Sequence, residues 1–188
     1  MDLYQALESR HTVRHFTDQP VDTAVIERLI AAAALAPSAS NLQPWRLHVC
    51  TGATREAFVE VMSMSTLHLV EYLGITDPVR IEEYERFFGN LGNADVVIAM
   101  SLPPAADELQ RINQYVSAGC ALENLLLTAV AEGLGAGNMT SSFWVRERLA
   151  SILGLGEDRE VVCVVLVGHP AEEPLAPKHR MDIATFHA

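Results

Sequence analysis

Arg10, Thr12 and Arg14 alternate within RHTVRH at 10–15, which sets two guanidinium groups and a hydroxyl close together. A guanidinium can grip a phosphate through two parallel charged hydrogen bonds, so this pattern suits an anion better than a metal or a nucleophile. A second basic cluster, KHR at 178–180, supplies Lys178 and Arg180. Between the two lies a different chemistry: APSASNLQPW at 36–45 puts Pro37, Ser38, Ala39, Ser40, Asn41 and Gln43 into one uncharged connection. Hydroxyls and amides can pair with a ligand edge that alternates donors and acceptors without placing a charge beside it. A solvated basic face remains the default for the arginines taken alone. Together the segments suit a phosphate at one end of a ligand and a polar heteroaromatic rim at the other.

Other constellations carry less. GLGAG at 133–137 follows a helical pattern and precedes a strand, the reverse of the order a dinucleotide-phosphate loop needs, so it reads as a helix C-terminus. Cys120 lacks a recognisable nucleophile motif and reads as a buried helical thiol, as do Cys50 and Cys163 in their own apolar contexts. His11 and His15 have helical i, i+4 spacing, but Arg14 beside them repels a cation and no carboxylate or thiolate completes a shell.

The elements that must position these residues follow from periodicity. A short helix spans about Asp2 to Ser9, and Asp22 can cap a second in which Ile26, Leu29, Ile30, Ala33 and Ala34 recur at helical spacing. Residues 45–50 alternate as a strand, and Gly52 opens a helix to about Met64. The stretch 65–93 is ambiguous, with helical character at 79–88. DVVIAMS from Asp95 and VVCVVLVG from Val161 read as buried central strands. Between them runs a long helix at 107–132, apolar nearly all round from Tyr115 to Ala131, which marks it as a core helix and a candidate subunit interface. A short strand at GLGAGNM and a helix at 145–153 complete the set. Strands and helices mixed without strict alternation imply an α+β fold in a single domain, 1–188, with 169–188 an extended arm kept irregular by Pro170, Pro174 and Pro177.

Composition bounds the partners. A net charge of -11, with twelve Arg and one Lys against 24 acids, argues against a nucleic-acid or anionic membrane surface. With 49% hydrophobic and 20% charged residues, no long unbroken apolar stretch and no leader-like N-terminus, the chain reads as a globular cytoplasmic protein with reduced thiols.

At these residues the chain resembles the FMN-dependent nitroreductase family. RHTVRHF at 10–16 is similar to its phosphate motif, APSASNLQPW to its flavin-rim loop, and KHR to its C-terminal basic motif. ALENLLLTAVAEGLGAGNM is similar to its central helix and glycine turn, so the likeness spans nearly the whole chain. The resemblance implies an α+β sandwich about a central mixed, mainly antiparallel sheet flanked by helices, in an intertwined homodimer with one FMN at each of two interfaces. Arg10, His11, Thr12 and Arg14 would then hold the ribityl phosphate, with Lys178 and Arg180 closing on it. Pro37, Ser38, Ala39, Ser40, Asn41 and Gln43 would line the flavin ring from the other subunit. Asn138, Met139 and Thr140 would lie near its reactive N5, while Arg86 is left unassigned.

The expected activity is hydride transfer from NADH or NADPH through FMN to a nitroaromatic, quinone or related electron-poor acceptor, by a ping-pong route that needs no catalytic side chain. A reductive dehalogenase or flavin-fragmenting enzyme of the same fold is the alternative, and a non-catalytic flavin-binding module is the third reading.

Overall fold

The computed structural model describes residues 1–171 and 180–187. Its elements are helices α1 (Leu3–Ser9) and α2 (Thr23–Ala34), strand β1 (Arg46–Cys50), and helices α3 (Gly52–Ser63), α4 (Ser65–Tyr72) and α5 (Pro78–Asn90). There follow strand β2 (Val96–Leu102), helix α6 (Glu108–Ala131), strand β3 (Gly135–Met139), helix α7 (Arg146–Ile152) and strand β4 (Glu160–Gly168). Aspartates start four of the helices: Asp2, Asp22, Asp77 and Asp107 each accept a backbone N–H of the first turn.

The four strands form one antiparallel sheet in the order β1-β2-β4-β3. Thr12 adds a single parallel bridge to Ala136 on β3, which makes the sheet mixed at that edge. An antiparallel sheet often leaves one face to water, but here both faces are covered, and that explains the unbroken apolar runs. Val96, Ile98, Met100 and Leu102 of β2 pack with Leu29 of α2 and Leu125 of α6. Val97 and Ala99, from the opposite face, join Phe58 of α3, Phe88 of α5 and Leu149 of α7. The expected α+β sandwich is what the chain builds.

Three expectations need adjustment. The ambiguous stretch 65–93 is mostly helical, as α4 and α5, with a turn at Leu91–Asn93. Cys50 and Cys163 are buried, but Cys120 is only half-buried, packed against the edge of the core between α2, α6 and the sheet. α1 ends at Ser9, so His11 and His15 lie on a non-helical segment and do not share a helix face. Among the described residues, no helix is long and apolar enough to cross a membrane.

The segment 10–17 is stitched to several parts of the fold. Val13 N–H donates to Ala136 O at 3.0 Å, Phe16 N–H to Gly92 O at 2.9 Å and Thr17 N–H to His169 O at 2.8 Å, while His15 O accepts from Ala171 N–H at 3.0 Å. Its Val13 and Phe16 side chains sink into the α3–α5–α7 layer. The approach is so close that a β-carbon at Gly92 or Gly137 would collide with the carbonyl of Arg14 or Val13. One at Gly135 would come within 2.8 Å of the Val13 side chain.

Gly92 also has φ +62°, which a side chain tolerates poorly. Gly92→Ala is therefore expected to lower unfolding stability by about 2–4 kcal/mol in a urea titration. Gly89→Ala, on α5 with nothing within 4 Å of the added carbon, is expected to stay within about 1 kcal/mol of the parent.

Candidate functional site

With its backbone fixed on both sides, the 10–17 segment presents Thr12 and Arg14 to a cavity of about 810 Å³. Arg14 is exposed at its wall, and the far side is α5, with Arg80, Tyr84 and Arg86. The floor is the end of β3 and the turn that follows, Gly137 to Ser141. Arg10 and His11 sit just before this wall. Arg10 Nε lies 3.3 Å from Glu123 Oε1 of α6, in an ion pair whose arginine is half-buried and whose glutamate is exposed. His11 Nδ1–H donates to Ser9 O at 3.0 Å.

Asn138 and Ser141 of the floor, and Ser142 buried beside them, carry side-chain oxygens with no hydrogen-bond partner. An unpaired buried polar atom costs about 1–3 kcal/mol, so the two that belong to the cavity lining favour a polar ligand there. A polar ring edge on the floor and a phosphate at the arginines match that donor and acceptor set, which is the fit required of FMN.

The rim loop lies elsewhere. Residues 36–45 lead into β1, at the opposite edge of the sheet from β3, across three strand spacings or roughly 14 Å. Its backbone is held in an expensive shape, with Ser40, Asn41 and Gln43 at φ 51°, 56° and 46°. Each left-handed non-glycine residue costs about 1–2 kcal/mol, and such conformations persist only where surrounding contacts enforce them. Ser38 Oγ accepts from Gln43 N–H at 3.0 Å, Gln43 Nε2 donates to Asn41 Oδ1 at 2.9 Å, and Ala39 N–H donates to Ser117 Oγ of α6 at 3.3 Å. Pro37, Ser40, Asn41 and Gln43 are exposed.

The structure thus gathers Thr12, Arg14, Asn138, Met139 and Thr140 around one cavity, places Arg10 and His11 beside it, and puts residues 37–43 at the far edge of the sheet. Lys178 lies outside the described residues; Arg180 is exposed and does not line the cavity. Sequence reasoning missed Ser141, which lines the cavity with Ser142 buried beside it; two adjacent hydroxyls shortly after β3 were the available signal. It also left out Arg86, which does line the cavity, although Arg86 Nη2 lies 3.4 Å from Glu82 Oε1 in an exposed pair on its own helix.

Comparison with known proteins agrees with this geometry. The family model described as Nitroreductase family matches residues 7–169, and the chain belongs to that family. A nitrobenzene nitroreductase of Ectopseudomonas oleovorans is 29% identical over 208 residues, covering 95% of this chain and 90% of the relative. An iodotyrosine deiodinase of Haliscomenobacter hydrossis is also 29% identical, over 185 residues, covering 94% and 82%. The crystal structure of an FMN- and NADPH-dependent nitroreductase from Sphigopyxis sp. strain HMH matches with a TM-score of 0.81 at 24% identity, over 99% of this chain and 100% of the other, and shares the fold.

Ser141→Ala removes one unpaired buried hydroxyl. The ligand-free variant is expected to match the parent or exceed it by about 1–3 kcal/mol in denaturant unfolding, and to gain less stability than the parent when FMN is added.

Proposed function

We propose that this chain is an FMN-dependent oxidoreductase that takes a hydride from NADH or NADPH and reduces a nitroaromatic, a quinone or a related electron-poor acceptor. The observation that carries the proposal is that Asn138 and Ser141, whose Oδ1 and Oγ are buried and unpaired, line a cavity walled by Thr12 and Arg14. Bound there, FMN supplies the redox relay between donor and acceptor. Arg10, His11, Thr12 and Arg14 would hold its phosphate, with Lys178 and Arg180 adding charge. The Arg10–Glu123 pair is partly exposed, at 24% and 46%, so a phosphate that takes the guanidinium would displace an ion pair already reached by solvent. Asn138, Met139, Thr140 and Ser141 would meet the ring from below. Donor and acceptor entering the same cavity in turn give ping-pong kinetics.

The other half of the site comes from a second copy. Pro37, Ser38, Ala39, Ser40, Asn41 and Gln43 cannot complete a cavity at the far edge of their own sheet, whereas an antiparallel pairing of two copies would bring each loop to its partner's cavity. Unpartnered apolar side chains support such a homodimer. Leu109, Ile112 and Val116 are exposed on α6, and Ile183 and Phe186 near the C-terminus are 96% and 95% exposed.

A second reading, a reductive dehalogenase of the same fold, is supported by the deiodinase relative, whose identity equals that of the nitroarene reductase. Consumption of a halogenated phenol with halide release, in place of nitroarene or quinone turnover, would select it.

Replacing Arg10 and Arg14 together with Ala is expected to strip the flavin, at about 1.5–3 kcal/mol for each charged hydrogen bond lost. Full FMN occupancy in the purified double variant would refute the phosphate assignment. Light scattering of the flavin-loaded parent at micromolar concentration is expected to give twice the chain mass, and a loaded monomer would exclude the shared site.

A further inference from the structure

Arg159 stands immediately before β4, yet its guanidinium reaches across β2 to the loop that enters β1. Nη2 donates to Pro44 O at 2.6 Å and to Ser101 O at 3.0 Å, and Nε donates to Ser101 Oγ at 2.9 Å. Nε2 of His48, on β1, lies 2.8 Å from the same Oγ. The reach depends on an irregularity in the sheet. Met100 faces Cys163 but Ser101 faces Val161, so Val162 is an extra residue on β4. A bulge of this kind bends its strand and re-aims the residues beside it.

The bonding is unusual for an arginine. All three hydrogen bonds go to neutral oxygens, two of them main-chain carbonyls. A half-buried guanidinium without a carboxylate in that set forgoes the charge pairing that offsets desolvation, so its placement serves geometry more than stability. Ser101 Oγ accepts from Arg159, which leaves its own proton for Nε2 of a neutral His48. Burial, reinforced by the charge of Arg159, holds that imidazole below its ordinary range. The three side chains form one ordered chain of donors.

What this clasp holds is the exit of the rim loop. Pro44 directly follows Gln43, the last of the three left-handed residues, and precedes the buried Trp45. The entrance is held separately, where Ala39 N–H meets Ser117 Oγ. The strained turn is thus suspended between α6 at one end and Arg159 at the other.

We propose that Arg159 is a positioning residue of the flavin rim: by tying Pro44 to the bulged strand edge at Ser101, it fixes the angle at which Ser38, Ser40 and Asn41 meet the ligand. The inference rests on the flavin assignment proposed above. It extends the site to a residue that touches neither the cavity nor the ligand.

The test compares full-length parent, Arg159→Met, Arg159→Lys and Leu149→Ala. Leu149 is a buried core residue of α7, so its truncation costs stability at a position that makes none of the clasp's hydrogen bonds. FMN affinity is read by quenching of flavin fluorescence, and ring geometry by the visible circular dichroism of the bound flavin. Arg159→Met is expected to bind FMN about 10-fold more weakly, the loss of roughly one charged hydrogen bond's worth of loop order, with an altered dichroism spectrum. Arg159→Lys, which can reach one carbonyl, should fall between it and the parent. Leu149→Ala should unfold at lower temperature and keep the parental spectrum. If Arg159→Met does not fold, Arg159→Lys carries the same comparison. Parental affinity and dichroism in the Arg159 variants overturn the proposal, as does an equal spectral change in Leu149→Ala. A parent that takes up no FMN overturns the flavin assignment itself, which separates the two failures.

Discussion

Backbone laid against backbone where no β-carbon fits is the constraint on which the rest of this molecule depends. The segment 10–17 lies so tightly against the 91–93 turn and β3 that Gly92, Gly135 and Gly137 must lack side chains. Its N–H groups are taken by Ala136, Gly92 and His169, and Val13 and Phe16 are locked in the core. Little freedom is left, and Thr12 and Arg14 are delivered to the cavity wall as a rigid pair of donors. A flexible basic tail would spend the ordering entropy at the moment of binding; this one spends it on folding.

The second constraint is the sheet itself. Four strands covered on both faces give a rigid plate whose two outer edges, β1 and β3, carry the two chemically complementary pieces. One edge offers a strained loop of hydroxyls and amides, and the other offers arginines above a floor of unpaired polar atoms. The rigidity that keeps each piece in shape also keeps them apart within one chain, so the proposed site would need a second copy to be complete. Exposed apolar side chains on α6 and at Ile183 and Phe186 are the surface such a pairing would cover.

Much of this was legible in the sequence. The runs at 95–101 and 161–168 gave β2 and β4 because two-sided burial leaves no polar alternation to misread, and Asp22 marked the start of α2. Within 65–93 the helical pattern at 79–88 was legible and is α5; α4 was not, because it follows α3 with only Met64 between them, lacks a side-chain cap, and buries only Ser65 and Thr66, both polar. Hydrophobic periodicity therefore had nothing to report. Ser141 and Ser142 were missed because a hydroxyl's function depends on whether it finds a partner, which local sequence does not encode. The contacts of Arg10 with Glu123 and of Arg159 with Pro44 join residues more than a hundred positions apart. The sheet creates those pairs, and no spacing rule anticipates them.

Mixing two differently broken copies tests the central claim most directly. One carries Arg10→Ala with Arg14→Ala, the other a rim loop disabled at Ser38 and Asn41; each is made alone and then both together, and bound FMN is measured per chain. If cavity and rim come from different copies, random pairing restores one intact site in each mixed dimer, or about a quarter of the parental flavin, from parents that bind none. If each chain builds its own site, mixing restores nothing, and the account of a flavin held between two copies is wrong.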